Sequence, residues 1–336
     1  MTLRSRREVL ALAAGAAVAG AAGVFTLAGC GGDEKSSDTT PSTPGSSPDG
    51  TTAPTNAPIT TTAAAVGGTI GFAWTDTAIE VYKPLIAGAK EEAAARGYEL
   101  LESNNGGDVT KQLADVSTWV GQGITGVTIL PLDPAATTNT AKEAQAAGVI
   151  VVGYSDKIEG ADGSTTFDHV QGGTALGEHA SAWINDNLGG SAKIGLLVID
   201  EMTTSEVVGR VKAVSAAEAL PAVQSMLQAD PDMNVVICVA DDGCTGASQA
   251  YKAAGIDPEG IYIAGFDGAL GALNSVKEGG YVKADAALDL KEIGRSVVYV
   301  IDNIKNGVEP KDKLHPYVIV DATSGQALDD LIASFG

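Results

Sequence analysis

Gly265-Phe266-Asp267-Gly268 is where this sequence concentrates its chemistry. The apolar run Ile261–Ala264 before it reads as a short buried strand, and Ala269–Glu278 after it as a helix. An acid at the carboxyl end of a strand, just ahead of a helix, stands where open α/β sheets bind ligands. The flanking glycines let the backbone turn sharply and let a ligand approach it closely. An ionised carboxylate there accepts hydrogen bonds from hydroxyl groups, and these are stronger than neutral ones. The same side chain would equally serve as a helix N-cap, so both roles stand open for Asp267. Other chemistry is sparse. Asp241 and Asp242 are adjacent, and adjacent acids do not face one substrate as a catalytic pair would. The sequence has no nucleophile elbow and no phosphate loop. Its three His and three scattered Cys lack the spacing of zinc ligands. The expectation is therefore no enzyme, no metal and no cofactor.

The elements that must position Asp267 follow from the whole chain. Its 336 residues exceed one ordinary core, so two lobes are expected. The formal net charge of −21 disfavours nucleic acid as a partner, because phosphate binding needs Lys and Arg. Arg4, Arg6 and Arg7 precede an apolar run from Val9 to Leu27, a charged n-region and a hydrophobic h-region. The run ends on Leu27-Ala28-Gly29-Cys30, which resembles a bacterial lipobox with Cys30 as the lipidated residue, so residues 1–29 read as a signal peptide. Ser5-Arg6-Arg7-Glu8-Val9-Leu10 resembles a twin-arginine export motif, with Val9 where Phe is commoner. An uncleaved membrane anchor is the alternative, and both place the body outside the cytoplasm. Residues 30–66, rich in Ser, Thr and Pro, read as a disordered tether.

Strands and helices alternate from Thr69. Thr69–Trp74, Glu99–Ser103, Gly126–Leu130 and Val149–Tyr154 read as strands, with helical runs over Ile79–Arg96, Val109–Val120 and Ala135–Ala147. A second series follows with helices at Gly172–Leu188, Ser205–Leu220 and Thr245–Ala254, and strands at Lys193–Ile199, Val235–Val239 and Ile261–Ala264. Val282–Ala287 and Tyr317–Val320 are further strands around the helix Glu292–Asn306. Such alternation predicts βαβ units and parallel sheets, an α/β fold of two Rossmann-like, doubly wound lobes.

The resemblance to a known family rests on nine segments in its order. They are Thr69-Ile70-Gly71-Phe72, Gly88-Ala89-Lys90-Glu91-Glu92-Ala93, Gly97-Tyr98-Glu99-Leu100, Gly126-Val127-Thr128-Ile129-Leu130-Pro131, Ala147-Gly148-Val149-Ile150-Val151-Val152, Asp230-Pro231-Asp232, Ala240-Asp241-Asp242, Ala253-Ala254-Gly255 and Gly265-Phe266-Asp267-Gly268. From Thr69 to about Val320 the chain resembles the sugar-type, ribose-binding-like (type I) periplasmic substrate-binding proteins of ABC transporters, in lipoprotein form. The resemblance implies two lobes joined by three crossings at a hinge, with ligand between them. The lobes it implies are 67–167 plus 289–318, and 168–288 plus 319–336.

It also implies site residues at strand ends. Trp74, Thr75 and Asp76 end the first strand, and Trp74 or Tyr82 would stack on a sugar, with a core role as the alternative for Trp74. Ser155 with Asp156, or Asp156 with Lys157, would supply polar contacts after the fourth strand. Asp241 and Asp267 complete the set. Asp168-His169 resembles the family's first hinge crossing. The chain departs from the family's Arg, Asn and Gln at Val208, Ala240 and Leu288. The retained acids suit hydroxyls, disfavour an anion and leave an amine-bearing ligand open.

Between Arg210 and Asp230 the chain is short for the family. The expectation is a smaller second lobe of four or five strands, lacking the edge strand beyond Lys193–Ile199. Cys238 and Cys244 form a candidate disulfide, or stand as two small buried residues. The function expected is a lipid-anchored protein, monomeric, that captures a sugar or polyol as its small-molecule ligand and delivers it to an ABC transporter permease. The alternatives are a ligand-sensing receptor docking on a membrane sensor, and a protein that binds an amine-bearing ligand.

Overall fold

A computed structural model describes residues 67–75, 79–197 and 216–336. The expected leader, Cys30, the tether, Asp76, Val208 and Arg210 lie outside them.

The first series runs β1 (Gly68–Ala73), α1 (Tyr82–Arg96), β2 (Tyr98–Glu102), α2 (Val109–Gly121), β3 (Gly126–Ile129), α3 (Pro134–Ala146), β4 (Ile150–Ser155) and β5 (Gly163–Phe167). The second runs α4 (His169–Leu188), β6 (Ile194–Leu197), α5 (Ala216–Ala229), β7 (Val235–Cys238), α6 (Asp241–Ala253), β8 (Tyr262–Asp267), α7 (Leu270–Glu278) and β9 (Val282–Ala287). Then come α8 (Leu290–Asn306), β10 (Asp312–His315), β11 (Val318–Asp321) and α9 (Gln326–Ala333). Local chemistry sets the helix ends. Asp108 and Asp133 cap α2 and α3 by accepting from the N–H groups of Lys111 and Ala136, and Pro134 opens α3. α1 stops at Gly97, in the left-handed region at φ 72°.

One sheet has the order β10-β5-β4-β3-β1-β2 and is parallel throughout. The other has the order β11-β9-β8-β7-β6, parallel except for β11 against β9. Counted from β1 and from β6 the two orders match strand for strand, so β4 and β8 occupy equivalent places. The chain passes between the sheets three times, after β5, after β9 and after β10.

α1 and α8 pack with almost no gap. A Cβ on Gly294 would lie 1.9 Å from the Leu85 carbonyl oxygen, and one on Gly88 would lie 2.1 Å from that of Lys291. Two glycines are what let these backbones meet.

Several elements differ from the sequence reading. β5, β10 and α9 were not expected. β5 reads Gly-Ser-Thr-Thr-Phe, which lacks an apolar run, yet Ser164 and Thr165 are buried because their hydroxyls find partners in Asp312 and Ser296. β10 carries Asp312 and Lys313 because it is a sheet edge. α1 begins at Tyr82 and not Ile79, since Ile79 and Glu80 form a preceding turn. β8 continues through Asp267.

The second sheet has five described strands against six in the first. β2 flanks β1, whereas β6 has no outer neighbour among the described residues. Ile194 and Leu196 on β6 are 55% and 53% exposed.

Candidate functional site

The strand ends assemble the site. β4 and β8 each finish on a residue that no helix or strand geometry would choose. Ser155, last in β4, has φ 65°, and Asp267, last in β8, has φ 100°. They are the two non-glycine residues at positive φ among the described residues, and they occupy equivalent positions in the two sheets. Such conformations carry strain and persist where surrounding structure enforces them, often at ligand sites. At Ser155 the enforcing contact is visible. The Asp156 N–H donates to the Tyr154 carbonyl at 2.8 Å, closing a three-residue turn around Ser155. At Asp267 the next residue, Gly268, is also left-handed, at φ 78°.

The N-cap role is not taken by Asp267. Ala269 caps α7 without a side-chain bond. The Ala269 N–H donates instead to Asp241 Oδ2 at 2.7 Å. Asp241 thus holds the turn that follows Asp267. Asp241 is buried, as Ser155 is, and its carboxyl supports the turn.

Asp241 has a companion that sequence reasoning missed. Asp285, on β9, is fully buried and pairs in register with Gly265. Gly265 makes the space, since a Cβ there would lie 2.4 Å from Asp241 Oδ1 and 2.6 Å from Cys244 Sγ. Burial, the neighbouring Asp285 carboxyl and the field of Asp267 push the Asp241 carboxyl well above the usual carboxylate range, against the opposing Ala269 N–H. Held neutral, Asp241 has the O–H needed to donate to Asp285. An acid among the small apolar residues Ala284, Ala286 and Ala287 was the signal in the sequence.

A pH dependence follows. Asp241 holds its proton more tightly in the folded than in the unfolded state. The contribution of Asp241 to stability is therefore greatest below the ordinary carboxylate range and declines as pH rises toward the raised value. Asp285→Asn removes the neighbouring charge and offers Asp241 an amide donor. It is expected to flatten that decline and to add about 1–2 kcal/mol at neutral pH. Thermal unfolding of both proteins from about pH 5 to pH 8 measures it. A variant that loses stability at neutral pH would contradict this account of the pair.

In the first sheet, Ser155 and Asp156 line a recess of about 430 Å³. Pro131, Pro134, Lys157, Thr166, Phe167 and His169 complete its lining. Its volume falls within the range of small-ligand sites. Trp74 takes the core role. It is 0% exposed, with Phe72 and Tyr82 ring centroids 3.7 and 5.9 Å away, so neither of its faces is open to a sugar. Tyr82 is buried beside it, and the Thr75 hydroxyl donates to the Tyr82 hydroxyl at 3.1 Å. Trp74, Thr75 and Tyr82 therefore form one cluster, while Ser155 and Asp156 form another at the recess.

Glu80 and Asp242 were also not foreseen. Glu80, ahead of α1, accepts from the Gly271 N–H of α7 at 3.5 Å, so the strand-end walls of the two sheets meet there. Partial burial, Asp267 and Glu80 push the Asp242 carboxyl upward. The site's electrostatics are those of converging acids. Among the described residues no group of His, Cys, Asp and Glu could hold a metal ion.

Cys238 and Cys244 are separate buried thiols and not the candidate disulfide. Burial and the adjacent Cys238 push the Cys244 thiol upward, so it keeps its proton and stays unreactive.

A family model described as a periplasmic binding protein domain matches residues 70–212 and 198–309. The ribose import binding protein of Bacillus subtilis (strain 168) is 28% identical over 258 residues, which cover 71% of this chain and 82% of that protein. An ABC transporter solute-binding protein from Mycobacterium smegmatis, solved with bound glycerol, is 27% identical with a TM-score of 0.68, covering 78% of this chain and 96% of that one. The fold is shared with a solute-binding protein from Bacillus halodurans C-125, solved with bound myo-inositol (TM-score 0.69, 19% identity, covering 81% of this chain and 100% of that one). These relatives are solute-binding proteins and not enzymes. The chain belongs to the periplasmic binding protein family.

Proposed function

We propose that this chain is a lipid-anchored solute-binding protein that captures a sugar or polyol between its lobes and delivers it to an ABC importer. The observation that carries the reading is the matched pair of strained strand ends, Ser155 on β4 and Asp267 on β8. Equivalent positions in two sheets hold a hydroxyl and a carboxylate where ligands bind in open α/β sheets. Similarity to a ribose import binding protein and to a protein solved with glycerol supports a polyhydroxylated ligand. Ser155, Asp156 and Asp267 are the contacts, and Trp74, Thr75 and Tyr82 back the first wall. The lobes are 67–167 plus 289–318, and 168–288 plus 319–336, with Cys30 as the lipid attachment point.

One observation favours a second reading. Asp267 and Glu80 both act on Asp242 where the two walls meet, which would suit a ligand bearing an amine.

A thermal-shift screen of sugars, polyols, purine nucleosides and polyamines separates the readings. A ligand at a hundredfold excess over its Kd adds about 2.7 kcal/mol, which raises Tm measurably. Hits among sugars or polyols are expected. Hits among polyamines alone would move the assignment to an amine-bearing ligand, and no hit in any class would overturn solute capture. Lipidation is tested separately, by loss of lipid labelling in Cys30→Ser.

A further inference from the structure

The recess after β4 is lined by two kinds of surface. Ser155, Asp156 and Thr166 bring polar groups to it, and Pro131, Pro134 and Phe167 bring apolar surface. His169, the first residue of α4, lines it as well. Such a lining suits a molecule with both hydroxyls and a C–H face, as a cyclic sugar or cyclitol has. The aromatic partner for that face was expected in Trp74 or Tyr82. Trp74 is enclosed, and Tyr82 is buried beside it. Neither belongs to the lining of the recess, whereas Phe167 and His169 do.

Packing fixes both rings. Four rings meet that of Phe167 edge-on: Tyr154 at a centroid distance of 5.6 Å, His169 at 5.8 Å, His315 at 6.3 Å and Tyr317 at 6.4 Å. The His169 ring stands at 90° to that of Phe167, and its Nδ1 is 3.0 Å from the Tyr317 hydroxyl. Asp168 fixes the backbone beneath it as the N-cap of α4, accepting from the Gln171 N–H at 2.9 Å. Tyr317 is held in turn. Its N–H donates to Gln171 Oε1 at 3.2 Å, and its ring lies so close to α4 that a Cβ on Gly172 would stand 2.5 Å from it. A ring already oriented by packing and by a hydrogen bond adds little ordering cost when a ligand binds against it.

We propose that His169 is a specificity-determining contact of the recess, that with Phe167 it takes the C–H face of a cyclic sugar or cyclitol whose hydroxyls bond Ser155 and Asp156, and that Tyr317 is the positioning residue that orients its ring. The inference rests on the solute-capture reading. It narrows that reading to ligands with a rigid C–H face, which linear polyols and polyamines lack.

The test uses the full chain with D-ribose, D-galactose and myo-inositol as probes, the tightest of them being carried forward. His169→Asn deletes the ring and keeps a polar side chain at the helix start. It is expected to weaken binding of that probe about tenfold or more in titration calorimetry, with the Tm of the unliganded protein near that of wild type. His169→Phe keeps a ring and loses the nitrogen that faces Tyr317, and Tyr317→Phe loses the hydroxyl. Each is expected to weaken binding about threefold, and the double variant no further than either alone. Without ligand, Tyr317→Phe is expected to shift the ring-nitrogen NMR signals of His169 and leave those of His179 in place. The His169 signals are identified by their loss in either His169 variant. Unchanged affinity in His169→Asn would overturn the contact. Unmoved His169 signals in Tyr317→Phe, or losses that multiply in the double variant, would overturn the positioning. Binding confined to linear polyols or polyamines would overturn the inference and leave capture standing, whereas no hit in any class rejects capture itself.

Discussion

Gly294→Ala is expected to lower folding stability by about 3 kcal/mol or more. The added Cβ would stand 1.9 Å from the Leu85 carbonyl oxygen, 2.8 Å from its carbon and 2.9 Å from the Ala89 nitrogen. These are backbone atoms inside α1, so no side-chain rotation relieves the clash. The two helices must separate, and separation opens contacts among Leu85, Ala89, Ile293, Val297 and Ile301, all buried. Gly88→Ala meets the reciprocal obstacle at Lys291 and should behave alike. Gly177, inside α4 with nothing within 4 Å of its would-be Cβ, is the control. There, alanine should stabilise by about 0.5–1 kcal/mol, because glycine alone loses the extra backbone entropy. Urea unfolding of the three variants measures the contrast. A Gly294→Ala protein as stable as wild type would mean that the helices do not pack through their backbones.

Asp267→Asn is expected to weaken binding of the best sugar or polyol about 10- to 100-fold. Asparagine tolerates positive φ nearly as well as aspartate, so the β8 turn should survive. The change removes the charge that strengthens hydrogen bonds from ligand hydroxyls, worth about 1.5–3 kcal/mol. Isothermal titration gives the affinity, and the melting temperature of the unliganded protein reports on the fold. Unchanged affinity would remove Asp267 from the contacts. Asp241→Asn should leave any ligand in contact with Asp267, because Asp241 acts through the Ala269 N–H behind that turn.

The family was legible because buried parallel strands must be apolar and the helices between them must alternate with them. The nine segments carry that pattern in order, and β1, β2, β3, β4 and β8 fall on them. β5, β10 and α9 were not legible. β5 is buried through its hydroxyls rather than its apolar residues, and β10 is a charged edge. A hydropathy pattern registers neither.

For the site, the sequence by itself determined that acids and small polar residues stand at strand ends, and that no catalytic or metal-binding set is present in its motifs. It left Asp267 between helix cap and ligand contact, Trp74 between core and cleft, and the cysteines between bond and thiols. Tertiary structure decided these. Asp267 is the end of β8 at positive φ, with Ala269 as the cap. Trp74 is enclosed by Phe72 and Tyr82. Cys238 and Cys244 remain thiols. The physical reason is common to all three. Backbone dihedrals, burial and the partners of a buried polar group depend on residues distant in sequence, as Asp285 is from Asp241 and Tyr317 from His169. Residue type and spacing constrain which elements form, and only their packing decides which side chains face one another.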